Sequence, residues 1–201
     1  MSLLPFLQGA LIGLSIAAPV GPIGALTIRR TLAQGQAIGL ATGMGAATAD
    51  AIYGAVAGFG LSAVTDALMG HARWLRLFGG AFLVYLGAKT FFAQPRALDA
   101  TSAARGLAAA YGSTFLLTLA NPTTILSFIG IFAGLGLGGV RSSYTLAALF
   151  VVGVFAGSAL WWLILSWSVA RLRSRLPPPA LRWVNRISGT VIAGFGVVAL
   201  S

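Results

Sequence analysis

One carboxylate interrupts an otherwise apolar stretch: Asp50, near the middle of the run 37–62. At membrane depth a carboxylate costs several kcal/mol unless it is paired, hydrated or protonated. At helical spacing its neighbours are Gly43, Ala46, Ala47, Tyr53, Gly54 and Ala57, a face small enough to meet another helix or a cavity rather than lipid. Such a group can carry a proton or offset the charge of a cationic ligand, with Tyr53 one turn away as a second polar group. The plainer reading is a structural hydrogen bond, to Tyr53 or to an arginine.

Two proline-bearing segments are the other candidates. In Ala18-Pro19-Val20-Gly21-Pro22 each proline removes a backbone donor and Gly21 allows unusual angles, so a helix passing through must break. Within a bilayer such a break survives only where protein or a watered cavity surrounds it. It brings a helix end and its partial charge to membrane depth, where an ionic group can be met. The second segment, Asn121-Pro122-Thr123-Thr124, adds an amide and two hydroxyls. The threonines can bond back to their own helix, whereas the Asn121 amide has too many polar atoms to satisfy locally. Pro19, Gly21, Pro22, Asp50, Tyr53, Asn121, Pro122 and Thr123 are therefore the candidate ligand-contacting residues, with Asp50 also the candidate for proton coupling.

Enzymatic chemistry has little to draw on. The one histidine, His71, falls in a predicted loop, so a Ser–His dyad has no histidine at depth. The chain has no Cys, and three scattered Asp do not form a metal site. No cofactor is expected. Gly43-Met-Gly-Ala-Ala-Thr imitates a dinucleotide fingerprint but follows no strand.

The elements that must hold these residues are membrane helices. Of 201 residues 58% are hydrophobic and 8% charged, against about 25% charged in soluble domains. Six spans are predicted, at 4–27, 37–62, 73–92, 107–135, 144–169 and 183–200, and they use the whole chain as one polytopic domain. Thirteen Lys and Arg stand against Asp50, Asp66 and Asp99, the last two in predicted loops. Ten of the thirteen fall after the first, third and fifth spans: Arg29, Arg30, Lys89, Arg96, Arg105, Arg171, Arg173, Arg175, Arg182 and Arg186. Arg73, Arg76 and Arg141 fall on the other side. Cytoplasmic loops are the basic ones, which predicts both termini outside. Lys89 reads as snorkelling to the headgroups and Arg29 and Arg30 as anchors, although the arginine pair could also recruit a carboxylate to the inner mouth. The 171–186 stretch reads as a lipid anchor and not a nucleic-acid site. Trp161, Trp162 and Trp167 read as an interfacial belt or a cavity lining.

The halves resemble one another. A shift of 103 places Gly9 on Gly112 and Ala17-Ala18-Pro19 on Ala120-Asn121-Pro122, and a shift of 109 places Trp74, Gly80 and Gly87 on Trp183, Gly189 and Gly196. Three spans per copy is an odd number, so the second copy enters the membrane reversed. The predicted fold class is an all-α integral membrane protein with six transmembrane helices in two inverted three-helix repeats. Residues 1–92 form repeat one, a cytoplasmic loop covers 93–106, and 107–201 form repeat two, with helices one and four broken at proline.

The stretches APVGPIGALTIRRTLAQGQAIGLATGMGAATADAIYG, WLRLFGGAFLVYLGAKTF and LTLANPTTILSFIGIF resemble the LysE/RhtB family of bacterial amino-acid exporters. The resemblance covers essentially the whole chain. It rests on Pro19-x-Gly21-Pro22, the Arg-Arg-x-Leu-x-x-Gly turn ending at Gly35, the run ending at Gly87, and Asn121-Pro122. It implies a secondary transporter of the bacterial inner membrane that exports amino acids on a proton or ion gradient, surrounded by lipid and assembling as an oligomer such as a homodimer. Two departures are present: Pro-Val-Gly-Pro replaces Pro-Gly-Pro, and Thr123 stands where a lysine is common. The missing cation favours a basic substrate such as lysine or arginine, or a different handling of the carboxylate. An inorganic-cation transporter of related plan is an alternative, although one buried acid is few for such an ion. A non-transporting subunit of a membrane complex is another, although a scaffold has no need of broken helices.

Overall fold

The computed structural model describes residues 3–19, 21–59, 70–92, 100–121, 124, 127–128, 143–173 and 178–200. These form seven helices: α1 Leu4–Ala17, α2 Pro22–Gln34, α3 Gln36–Gly58, α4 Ala72–Phe91, α5 Ala100–Leu119, α6 Tyr144–Arg173 and α7 Pro178–Leu200. No strand occurs among the described residues. At 1.5 Å per residue, helices of 20 to 23 residues are about 30–35 Å long, the thickness of a bilayer core. Tyr144–Leu172 and Arg182–Leu200 are both long and apolar enough to cross a membrane, and α1 and α2 meet that test as a pair. Among the other long helices, α3 is diluted by Gly, Thr and Asp50, and α4 carries Arg73, Arg76 and Lys89.

The molecule is apolar on the outside. Trp74, Phe78, Tyr85, Leu116, Val152, Trp183, Val197 and Val198 are all exposed, whereas the interior combines many Gly, Ala, Ser and Thr with larger side chains such as Leu26, Phe150, Val154 and Ile192. Lipid is as apolar as a leucine core, so helices associate through close backbone approach and local hydrogen bonds instead of burying bulk. Gly9 and Gly13 of α1 lie against the Phe150 and Val154 carbonyls of α6, and Gly153 and Gly157 of α6 lie against the Phe6 and Ala10 carbonyls of α1. Gly45 of α3 meets the Tyr111 carbonyl of α5 in the same manner. Gly80 faces Gly196 across α4 and α7, and Gly87 faces Gly189. Buried threonines bond to their own helix: Thr31 Oγ1 donates to the Thr27 carbonyl at 2.8 Å and Thr42 Oγ1 to that of Ile38 at 2.8 Å.

The first predicted span is two helices, bent by 78° about the proline segment. Gly21 is extended and Pro22 opens α2, a position where its missing N–H costs nothing. α2 then runs to Gln34 and turns into α3 through Gly35 alone, whose φ of 101° requires glycine. Arg29 and Arg30 are consequently helical, not loop residues, and Arg30 is buried. The helix α5 begins at Ala100, inside the segment expected as a loop, because its alanine-rich start favours helix over its polar character. Likewise α6 runs to Arg173 and α7 starts at Pro178, so little of the predicted 170–182 loop is left between them.

Candidate functional site

A cavity of about 220 Å³ opens between the end of α1, the start of α2, the middle of α3 and the end of α5. Pro19, Gly21, Pro22, Asp50 and Asn121 all line it, five residues spread over 103 positions of sequence. Pro122 and Thr123 lie outside the described residues. Tyr53 is buried but does not line the cavity; its hydroxyl donates to the Leu119 carbonyl at the end of α5. It therefore secures the helix end that presents Asn121, whose N–H donates to the Thr118 carbonyl at 3.2 Å.

The polarity of the cavity comes from three sources. Asp50 is 3% exposed, and its Oδ2 accepts a hydrogen bond from Ser158 Oγ of α6 at 2.7 Å. Ser158 in turn accepts from Trp162 Nε1 at 3.2 Å, so a short chain of hydrogen bonds runs along one turn of α6 to the carboxylate. The start of α2 supplies the second source. The first intrahelical bond runs from Ala25 N to the Gly21 carbonyl, which leaves the Ile23 and Gly24 N–H groups of the lining outside the helical ladder. The third is Thr118, whose buried Oγ1 has no partner among the described residues. A carboxylate, two helix-end donors and a hydroxyl around one small space match a zwitterion: a cationic amine at one side and an anionic carboxyl at the other.

Neither alternative partner offered for Asp50 is the one found. Its partner is Ser158, a residue the sequence reading did not single out, and no arginine is within hydrogen-bonding distance among the described residues. A signal existed: Ser158 lies 108 positions after Asp50, between the two shifts by which the halves align. Trp162 is 3% exposed and lines the cavity instead of forming part of a belt, and Thr118 was also missed. Trp167 fits the belt reading, exposed with the Arg171 guanidinium 3.5 Å over its ring.

A second cavity, of about 460 Å³, lies between α2, α4 and α5 and is lined by Arg29, Arg30 and Lys89. Arg30 reaches between α3 and α5, where Nη1 donates to Thr42 Oγ1, Thr114 Oγ1 and the Ala110 carbonyl at 3.1, 2.9 and 3.1 Å, and Nη2 to Ser113 Oγ at 3.0 Å. Arg29 Nε donates to Asn185 Oδ1 of α7 at 3.3 Å.

Apolar helices around a polar cavity at a proline break are a construction that membrane transport proteins use. Comparison with known proteins gives the particular family: the LysE type translocator family matches residues 14–201, and the chain belongs to it. Over 196 residues the chain is 31% identical to the "Putative amino acid efflux protein YcgF" of Bacillus subtilis (strain 168), covering 95% of this chain and 92% of that one. It is 26% identical over 184 residues to the "Uncharacterized membrane protein YrhP" of the same organism, covering 86% and 87%. No solved structure matches the chain.

Proposed function

We propose that this translocator exports amino acids from the bacterial cytoplasm across the inner membrane by alternating access, with the 220 Å³ cavity as the substrate site. The observation that carries the reading is the convergence of the Pro19–Pro22 break, Asp50 and Asn121 on that one space. The substrate carboxyl meets the Ile23 and Gly24 N–H groups, the Thr118 hydroxyl and the Asn121 amide. Asp50 faces the amino group, or the side-chain cation of a basic amino acid such as lysine or arginine, and takes up the counter-transported proton when the substrate leaves. Pro122 and Thr123, which lie outside the described residues, are proposed as further substrate contacts beside Asn121. The family membership and the efflux named for the 31% identical relative support the same direction.

Alternating access needs two bundles that rock about a fixed site, which inverted repeats supply. Glycine contacts support such a repeat. Gly45 against Tyr111 and Phe115 has the same pattern as Gly153 against Phe6 and Ala10, and the Gly80–Gly196 and Gly87–Gly189 pairs exchange under the shift of 109. These contacts relate α3 to α6 at a shift of 108, and α1 to α5 at 105 instead of the 103 that aligns the prolines. Asp50 and Ser158 then occupy equivalent positions and meet near the axis. The proposed plan is one domain of two inverted repeats, 1–92 and 107–201, with the 93–106 segment in the cytoplasm, both termini outside and the protein assembling as a homodimer.

Efflux from proteoliposomes preloaded with a panel of labelled amino acids, with and without a pH gradient, tests the proposal. Release of one class, faster with the gradient, is expected. Release of none, or release indifferent to every ion gradient, contradicts it.

A further inference from the structure

Arg29, Arg30 and Lys89 face the second cavity, and no acidic side chain lines it among the described residues. The chain contains three carboxylate side chains in all; Asp50 sits in the other cavity, and Asp66 and Asp99 lie outside the described residues. Arg30 is 9% exposed and its four hydrogen bonds all go to neutral acceptors, which orient the guanidinium without balancing its charge. Among the described residues Arg29 uses only Nε, on Asn185, which leaves both its terminal nitrogens for a ligand there. A further observation points the same way: Thr90 Oγ1, fully buried in this lining, has no partner among the described residues. Three cations and an unused hydroxyl around one space make a site for an anion.

The position of the cavity gives that anion a purpose. Its walls are shared with the substrate cavity: α2 lines one with Ile23 and Gly24 and the other with Arg29 and Arg30, about 9 Å further on. Helix α5 does the same with Thr118 and Ser113, about 7.5 Å apart. We propose that Arg29, Arg30, Lys89 and Thr90 form a carboxylate-capture site at the cytoplasmic mouth, from which the substrate carboxyl passes along α2 to its N-terminal amides. The proposal rests on the exporter reading for its substrate, but the site itself does not depend on transport. Cationic walls also raise the local concentration of a carboxylate-bearing solute and steer its entry.

Lys89 is the chain's one lysine, so acetylation of its amine by acetic anhydride, located by mass spectrometry, reports on the cavity in the full-length protein in detergent. Sodium acetate is the carboxylate probe, acetamide its neutral counterpart, sodium chloride the control for ionic strength, and a short-chain phosphatidylglycerol the control for lipid headgroups. Acetate is expected to slow Lys89 acetylation saturably, by about tenfold at ten times its half-saturating concentration. Acetamide is expected to have no effect, and Arg29→Gln to abolish the protection while Arg29→Lys keeps part of it. The wild-type comparison needs no variant to fold. Acetate no better than chloride overturns the site, and protection by the phospholipid alone assigns the cations to a headgroup phosphate and overturns the carboxylate reading. Protection without efflux of any amino acid removes the exporter reading and keeps the site; efflux without protection does the reverse.

Discussion

Tyr53→Phe removes one oxygen and nothing else, and the structure sets what that costs. The hydroxyl donates to the Leu119 carbonyl across α3 and α5, while the ring keeps its contact with Phe128, 5.5 Å between centroids. No cavity is created, so the packing contribution is close to zero. What is lost is an interhelical hydrogen bond, worth about 0.6 kcal/mol on average and up to about 1.7 within membranes. A fully buried carbonyl left without its donor costs about 1–3 kcal/mol, and the part-buried Leu119 carbonyl falls at the low end of that range. The two ranges overlap near 1–1.5 kcal/mol, a factor of roughly 5–13 in the folded-to-unfolded ratio. The assay is reversible denaturation in mixed micelles, followed by far-UV circular dichroism, with Tyr53→Leu as the comparison because it also forfeits the ring contact. The expected order is wild type, then Tyr53→Phe, then Tyr53→Leu. A Tyr53→Phe protein within about 0.3 kcal/mol of wild type refutes the reasoning, since the carbonyl would then not depend on Tyr53.

Further outcomes follow from the helix contacts. A Cβ at Gly45 or Gly153 would meet a backbone carbonyl of the neighbouring helix, so Gly45→Ala and Gly153→Ala should each destabilise by about 1–3 kcal/mol in the same denaturation assay. Gly112→Ala meets nothing within 4 Å and should be neutral or stabilising by up to about 1 kcal/mol. Arg30→Lys keeps the charge but cannot reproduce the fork that reaches Thr42, Thr114, Ala110 and Ser113; a loss of about 2 kcal/mol or more is expected, seen as a lower midpoint of thermal unfolding in detergent.

Much of the candidate site was legible because its signals are of the kind that lipid makes expensive. A lone acid in an apolar run and a proline break have few innocent explanations at depth, and Pro19, Pro22 and Asp50 line one cavity together with Asn121. What escaped was carried by inexpensive residues. Ser158 and Thr118 are common in membrane helices, where they usually bond to their own backbone, and nothing local distinguishes a serine that bonds a carboxylate from one that does not. Trp162 reads as interfacial from composition, and only the close approach of Gly43 to its Cβ places it inside. Arg29 and Arg30 were placed past the end of a span because charge ends an apolar run; the helix continues since Arg30 finds four acceptors on α3 and α5, which no single-segment reading can see.

The central claim is that Asp50 couples the substrate cavity to transport. Gradient-driven efflux of the transported amino acid from proteoliposomes, measured for wild type and Asp50→Asn side by side, tests it most directly. Asparagine keeps the shape and the acceptor for Ser158 but can neither take up a proton nor balance a cation. The account predicts a correctly folded, monodisperse variant whose gradient-driven efflux falls to the level of empty liposomes. Efflux by Asp50→Asn at the wild-type rate, with the same dependence on the gradient, would contradict it.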